Sequence, residues 1–221
     1  MPALTLIFDL DGTLVDTAPD LLGALNVILR QEGRSPVDHS AVRHLVGHGA
    51  RVMLETAFQM TGAPVEPARL PALFDDYIAH YKSHVAVASV PFPGVEATLE
   101  QLRTNGARLG VLTNKPQELA DLLLKDLNLT RFFDAIYGAG RMSYTKPDAR
   151  IFHDVVRDTA GGPVDAIMVG DSITDVETAR AANAKVILVD YGYTPEPAET
   201  LGADAVTGDF TRIPALAAAL T

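Results

Sequence analysis

Short apolar runs rich in branched residues recur along this chain, at 4–8, 108–113, 135–137, 166–169 and 185–190, with a weaker one at 204–207. Segments of helical periodicity separate most of them, for example 95–104, 116–127, 149–159 and 175–183. A strand that is apolar throughout needs cover on both faces. Strands alternating with helices obtain it by forming a parallel sheet between two helical layers. The pattern therefore predicts a three-layer α/β/α core with a Rossmann-like parallel sheet. Residues 17–88 break it. Leu21, Leu25 and Ile28, then Val52, Met53 and Met60, then Leu73, Tyr77 and Tyr81 follow helical spacing, and no convincing strand occurs. Pro91 and Pro93-Gly94 mark the return to the α/β pattern. The expected organisation is a discontinuous core, 1–16 and 89–221, with a helical domain inserted at 17–88.

The 221 residues suffice for such a core plus an insertion. The formal charge of −10 argues against a nucleic-acid partner. No apolar stretch approaches the ~20 residues of a membrane span. Met1-Pro2-Ala3 leads directly into the first run, with no basic segment or signal-peptide core, so a cytoplasmic protein is expected. With no cysteine, disulfides, thiolate metal sites and cysteine nucleophiles are excluded. An acidic protein acting on an anion needs local positive charge at its site.

Ligands of open parallel sheets bind beyond the carboxyl ends of the strands, and the polar residues of this chain fall there. The first run ends at Asp9-Leu10-Asp11, followed by Gly12. In extended backbone, residues i and i+2 share a side, so the two carboxylates can face one small volume. Their repulsion would be relieved by a cation, and oxygen-only ligands suit Mg²⁺. The second run ends at Thr113-Asn114, and the run at 166–169 leads through Gly170 to Asp171-Ser172, with Asp175 four residues on. Lys146-Pro147 precedes a helix. Each has a plainer reading: two solvated aspartates in a turn, Thr113-Asn114 capping the next helix, a surface lysine, Asp171 and Asp175 as helix caps. Convergence of all four segments on one sheet edge favours a site.

DLDGT (9–13), LTN (112–114), Lys146-Pro147 and GDSITD (170–175), in this order and spacing, resemble the haloacid dehalogenase superfamily over essentially the whole chain. The resemblance implies that the insert is a four-helix cap and that the protein is a Mg²⁺-dependent phosphatase. It makes Asp9 the nucleophile that forms an aspartyl-phosphate and Asp11 the general acid and base. Thr113 and Lys146 serve the phosphoryl group, and the metal is held by Asp9, the Asp11 carbonyl and Asp171, with Asp175 supporting it. The implied substrate is a small phosphorylated metabolite, 2-phosphoglycolate foremost. A pyrophosphatase, a nucleotidase, a phosphomutase and a non-catalytic phosphate-binding module are the alternatives. A monomer or homodimer is expected. Gly138-Ala139-Gly140-Arg141 and Asn183 depart from the family pattern.

Substrate selection points to the insert. In Gly47-His48-Gly49-Ala50-Arg51 the glycines let backbone approach a ligand, and Arg51 can pair bidentately with a carboxylate. The plainer reading is an inter-helix turn. Asn114 and Lys115 are further candidates for substrate contact. His80 and His84 have the i,i+4 spacing of a helical metal pair but no acidic partner between them, which favours a solvated helix face.

Overall fold

The computed structural model describes residues 4–38, 45–46 and 49–221. The chain divides into two compact units, Met1–Asp16 with Pro91–Thr221, and Thr17–Val90. In the first, six strands form one parallel sheet: β1 (Thr5–Phe8), β4 (Arg108–Pro116), β5 (Ala135–Ala139), β6 (Ile167–Gly170), β7 (Lys185–Val189) and β8 (Ala205–Thr207). Their spatial order is β5-β4-β1-β6-β7-β8. Val15–Asp16 (β2) and Val90–Pro91 (β3) pair as a separate two-stranded sheet.

Alternate residues of each strand feed opposite faces. Ile7, Leu112, Tyr137, Met168, Val186 and Leu188 pack with Ile151, Phe152, Val155 and Val156 of α6 (Ala149–Ala160) and with Val176 and Ala179 of α7 (Ile173–Ala181). On the other face the Phe8 ring meets Phe210 and Phe133 at 5.9 and 6.3 Å. The helices α4 (Val95–Thr104) and α8 (Ile213–Leu220) bury Val95, Leu99, Leu102, Ile213 and Ala217. Between β4 and β5, α5 (Gln117–Asp126) buries Leu119, Ala120, Leu123 and Leu124. The expected layered parallel sheet is the observed one.

Two boundaries differ from expectation for identifiable reasons. β4 runs to Pro116 rather than stopping at Thr113, with a register shift after Leu112, and its burial alternates beyond that point: Thr113 and Lys115 in, Asn114 and Pro116 out. α7 starts at Ile173 rather than Asp175, because Ser172 and Asp175 form a capping box that satisfies its first amides. Asn183, where a glycine is common, adopts φ +54° just past that helix, a left-handed position that asparagine tolerates.

The strand order reverses at β1. From it the chain moves first to β4 and β5, then to β6, β7 and β8 on the other side. Phe8 pairs with Val111 and with Val169. The carboxyl ends of β1, β4 and β6 therefore open side by side at the switch point, where α/β sheets place their ligands. Phe92 N–H donates to the Leu14 carbonyl at 3.0 Å, so this unit's chain departs and resumes at neighbouring residues.

The second unit holds α1 (Ala18–Gln31), α2 (Ala50–Met60) and α3 (Leu70–Lys82) among its described residues. Its core is Leu22, Leu25, Leu29, Met53, Leu54, Leu73, Tyr77 and Tyr81. A carboxylate closes its two ends. Asp20 is buried and accepts from the Ala88 amide (2.9 Å) and from the Ser89 amide and hydroxyl (both 2.7 Å). No helix of the described residues is long and apolar enough to cross a membrane.

Candidate active site

β1 ends and Asp9 follows, its amide bonded to the Val169 carbonyl at 2.8 Å, which ties it to β6. Gly12, at φ +85°, then turns the chain back. A Cβ at Gly12 would lie 2.6 Å from Asp171 Oδ2, so the turn rests on the carboxylate that follows β6. Asp9, Asp171 and Asp175, all buried, each offer an oxygen within 4.8 Å of the others. Lys146, also buried, places its Nζ 3.0 Å from Asp9 Oδ1 and 2.7 Å from Asp175 Oδ1.

The oxygens of this trio are engaged to different degrees. Asp175 is the most engaged: Oδ1 takes Lys146, while Oδ2 takes the Ser172 hydroxyl (2.8 Å), the Ser172 amide (3.1 Å) and the Asp171 amide (3.2 Å). The helix-cap reading of Asp175 and its place in the cluster are thus both realised. Asp171 takes one donor on each oxygen, the Thr13 hydroxyl at 2.9 Å and the Tyr193 amide at 2.8 Å. Each oxygen keeps a lone pair. Asp9 Oδ1 is buried and is met only by the Lys146 ammonium, at ion-pair distance and without a well-aligned hydrogen bond.

Electrostatics follow from this crowding. Burial, then the Asp175 and Asp9 charges, push the Asp171 carboxyl up to about 8. Burial pushes Asp9 up to about 6, with Lys146 opposing and Asp175 and Asp11 reinforcing the rise. Burial works against the Lys146 ammonium, but Asp175 and Asp9 outweigh it and hold it above the ordinary lysine range. Three carboxylates thus face one ammonium. An under-engaged buried oxygen, an all-oxygen donor set and this excess of negative charge fit a divalent metal ion.

The remaining candidates are distributed as follows. The Asp11 side chain is not part of the trio: its Oδ1 pairs at 2.9 Å with Nζ of Lys115, which is buried on the inner face of β4. Lys115, expected as a substrate contact, thus bonds to Asp11. Thr113 is buried and its hydroxyl accepts from the Lys115 amide at 3.1 Å, so it does not cap the following helix. Asn114 clamps Lys146: its Nδ2 donates to the Lys146 carbonyl (3.2 Å) and its Oδ1 accepts from the Lys146 amide (3.1 Å). In the second unit, Gly49 precedes α2 at φ +87°, and the exposed Arg51 guanidinium lies 6.0 Å over the Phe74 ring. His48 lies outside the described residues. The His80 and His84 rings stack at 4.3 Å on an exposed surface, away from any acidic partner among the described contacts. Arg141, one of the departures noted above, covers the Tyr137 ring at 4.2 Å.

Sequence reasoning missed Thr13, Tyr191, Gly192 and Tyr193 as site neighbours. The available signal was their position: Tyr-Gly-Tyr follows the end of β7, at the same sheet edge as Asp9 and Asp171.

Carboxylates and a lysine gathered at the switch point of a parallel sheet define an α/β enzyme core able to hold a metal ion beside an anionic group. The profile of the haloacid dehalogenase-like hydrolases matches residues 6–189, and the chain belongs to that family. It is 47% identical over 210 residues to a phosphoglycolate phosphatase of Caulobacter vibrioides, covering 95% of this chain and 89% of that one. With a phosphoglycolate phosphatase of Agrobacterium fabrum the identity is 43% over 211 residues, covering 95% and 91%. A crystal structure from Haemophilus somnus, described as a predicted phosphoglycolate phosphatase, superposes with a TM-score of 0.88 at 26% identity, covering 97% of both chains.

Proposed function

We propose that this protein is a Mg²⁺-dependent phosphatase that hydrolyses 2-phosphoglycolate to glycolate and phosphate. The observation that carries the reading is the cluster of Asp9, Asp171 and Asp175 around Lys146 at the switch point. The names of the relatives at 47% and 43% identity support the substrate.

In this reading an Asp9 oxygen attacks phosphorus, the bond to the glycolate oxygen breaks, and Asp11 gives that oxygen its proton. Asp11 then takes a proton from water as the water attacks the aspartyl-phosphate, and Asp9 and phosphate are released. One group serves both steps because the proton lost in the first is regained in the second, and such transfer is worth about 10²–10⁴-fold. Lys146, beside Asp9, lowers the cost of bringing two anions together. The Thr113 hydroxyl is a further donor to the phosphoryl oxygens. Asp9, Asp171 and the Asp11 carbonyl would hold Mg²⁺, which would supply the charge neutralisation that lets the carboxylate approach the phosphate. Asp175 orients Lys146 and the Asp171 loop rather than binding metal directly, since its two oxygens already take four donors against two for Asp171.

Arg51, with His48 and Gly49, is assigned to recognition of the substrate carboxylate, since a guanidinium matches a carboxylate bidentately. Asn114 and Lys115 contribute by holding Lys146 and Asp11. A cytoplasmic monomer or homodimer with no nucleic-acid or membrane partner belongs to the same reading, in keeping with the formal charge of −10. The test is phosphate release from a panel of about twenty phosphorylated metabolites, with Mg²⁺ and with EDTA. The reading expects 2-phosphoglycolate to be turned over best and EDTA to silence the enzyme. Preference for pyrophosphate or a nucleotide would overturn the substrate, and metal-independent turnover would overturn the cofactor.

A further inference from the structure

We infer that the turn Tyr191-Gly192-Tyr193, after β7, is the device that positions Asp171 for the metal ion, with Gly192 setting where its carboxylate can stand. The inference rests on the metal assignment proposed above. It is carried by four contacts that form a closed circuit within the first unit. The Tyr193 amide donates to Asp171 Oδ2 at 2.8 Å, and the Tyr193 hydroxyl donates to Asp16 Oδ1 at 2.8 Å. The Tyr191 hydroxyl donates to the Thr13 carbonyl at 3.0 Å, and the Thr13 hydroxyl returns to Asp171 Oδ1 at 2.9 Å. Both oxygens of Asp171 are thereby aimed, one by each end of the circuit.

Gly192 closes the arrangement sterically. A Cβ there would overlap Cβ, Cγ and Oδ2 of Asp171, well inside contact distance, so the whole side chain would have to move. Gly12 presses on the same carboxylate from the opposite loop. Asp171 is short and buried, with no flexible stem to absorb a displacement. Fixing a ligand from outside its first shell matters energetically, because loss of such support commonly costs 10–100-fold in metal affinity.

Gly192→Ala tests this, with Mg²⁺ affinity read by calorimetry and by Mg²⁺-induced rise in melting temperature, independently of turnover. We expect Gly192→Ala to weaken Mg²⁺ binding at least about tenfold. Tyr193→Phe, which keeps the amide and the space but loses the hydroxyl's bond to Asp16, should weaken it by a smaller factor than Gly192→Ala. Mg²⁺ affinity unchanged in Gly192→Ala would overturn the inference while leaving the metal reading intact; no Mg²⁺ binding by the wild type would overturn the metal reading itself. Should Gly192→Ala fail to fold, the wild type still decides. The Tyr193 amide resonance must shift on Mg²⁺ titration, and an unmoved resonance at saturation would end the proposal.

Discussion

The Lys115 ammonium lies 2.9 Å from Asp11 Oδ1, although 104 positions separate the two residues. It reaches there because β4 continues past Thr113 with alternating burial, which turns Thr113 and Lys115 to one face and Asn114 to the other. A buried ammonium beside the proposed acid and base holds that carboxylate in one rotamer. Asp11→Asn should lower kcat by about 10²–10⁴-fold. Lys115→Met should lower it less, since it acts through Asp11. The double variant should be no worse than Asp11→Asn alone, because residues in one network are not additive. Steady-state kinetics of the three variants check this; additive losses would separate Lys115 from Asp11.

Asp9→Asn should abolish phosphate release, by about 10³-fold or more, while the protein remains folded. The Asp9 charge is held against burial and two neighbouring carboxylates, so its removal should not lower the melting temperature of the metal-free protein. Circular dichroism and a melting curve measured beside the assay separate loss of chemistry from loss of fold.

The metal-free protein should lose stability as pH rises from about 4 to about 8. Asp9 and Asp171 keep protons in the folded state, to about 6 and about 8, that the unfolded chain loses near 4. The folded state therefore binds more protons across this window, and stability falls with rising pH. Asp204 is held down to about 2 by the Val186 amide, Lys185 and Arg180, against the effect of burial, and titrates below the window. Mg²⁺ competes with those protons, so the Mg²⁺-induced rise in melting temperature should be larger at pH 8 than at pH 5.5. An equal rise at both would contradict a carboxylate metal site.

Asp20→Ala should destabilise the second unit by about 2–3 kcal/mol, since it strands the buried amide and hydroxyl of Ser89 and removes the acceptor of the Ala88 amide. Urea titration followed by hydrogen exchange at residues 88–89 would register it. Asp20→Asn, which keeps one acceptor, should lose less.

The chemical centre was legible because Asp9, Thr113 and Asp171 each interrupt an apolar run, and apolar runs alternating with helices leave only one edge for them to share. Asp175 was legible twice over, as a cap and as a cluster member, and the structure makes the two compatible by giving one oxygen to the helix start and the other to Lys146. The partner of Lys115 was not legible, because a strand expected to stop at Thr113 hides the alternation that turns the lysine inward. Nor was the circuit through Thr13, Tyr191 and Tyr193, because three of its four hydrogen bonds span 158 to 178 positions and the fourth spans 22, which leaves no local periodicity. The steric meaning of Gly192 exists only once Asp171 stands against it. The clasp of Asp20 on Ser89 likewise joins the two ends of a long excursion, and no spacing rule pairs them.

The hydrogen bond from Phe92 to Leu14 gives the excursion between them a single graft point. A chain that leaves a finished sheet and rejoins it at adjacent residues can lengthen, shorten or exchange what lies in between without re-registering any strand. With substrate recognition placed in that stretch, as proposed, selection can diversify what the protein accepts by rewriting one contiguous stretch of gene, while the hydrolytic apparatus is inherited unchanged.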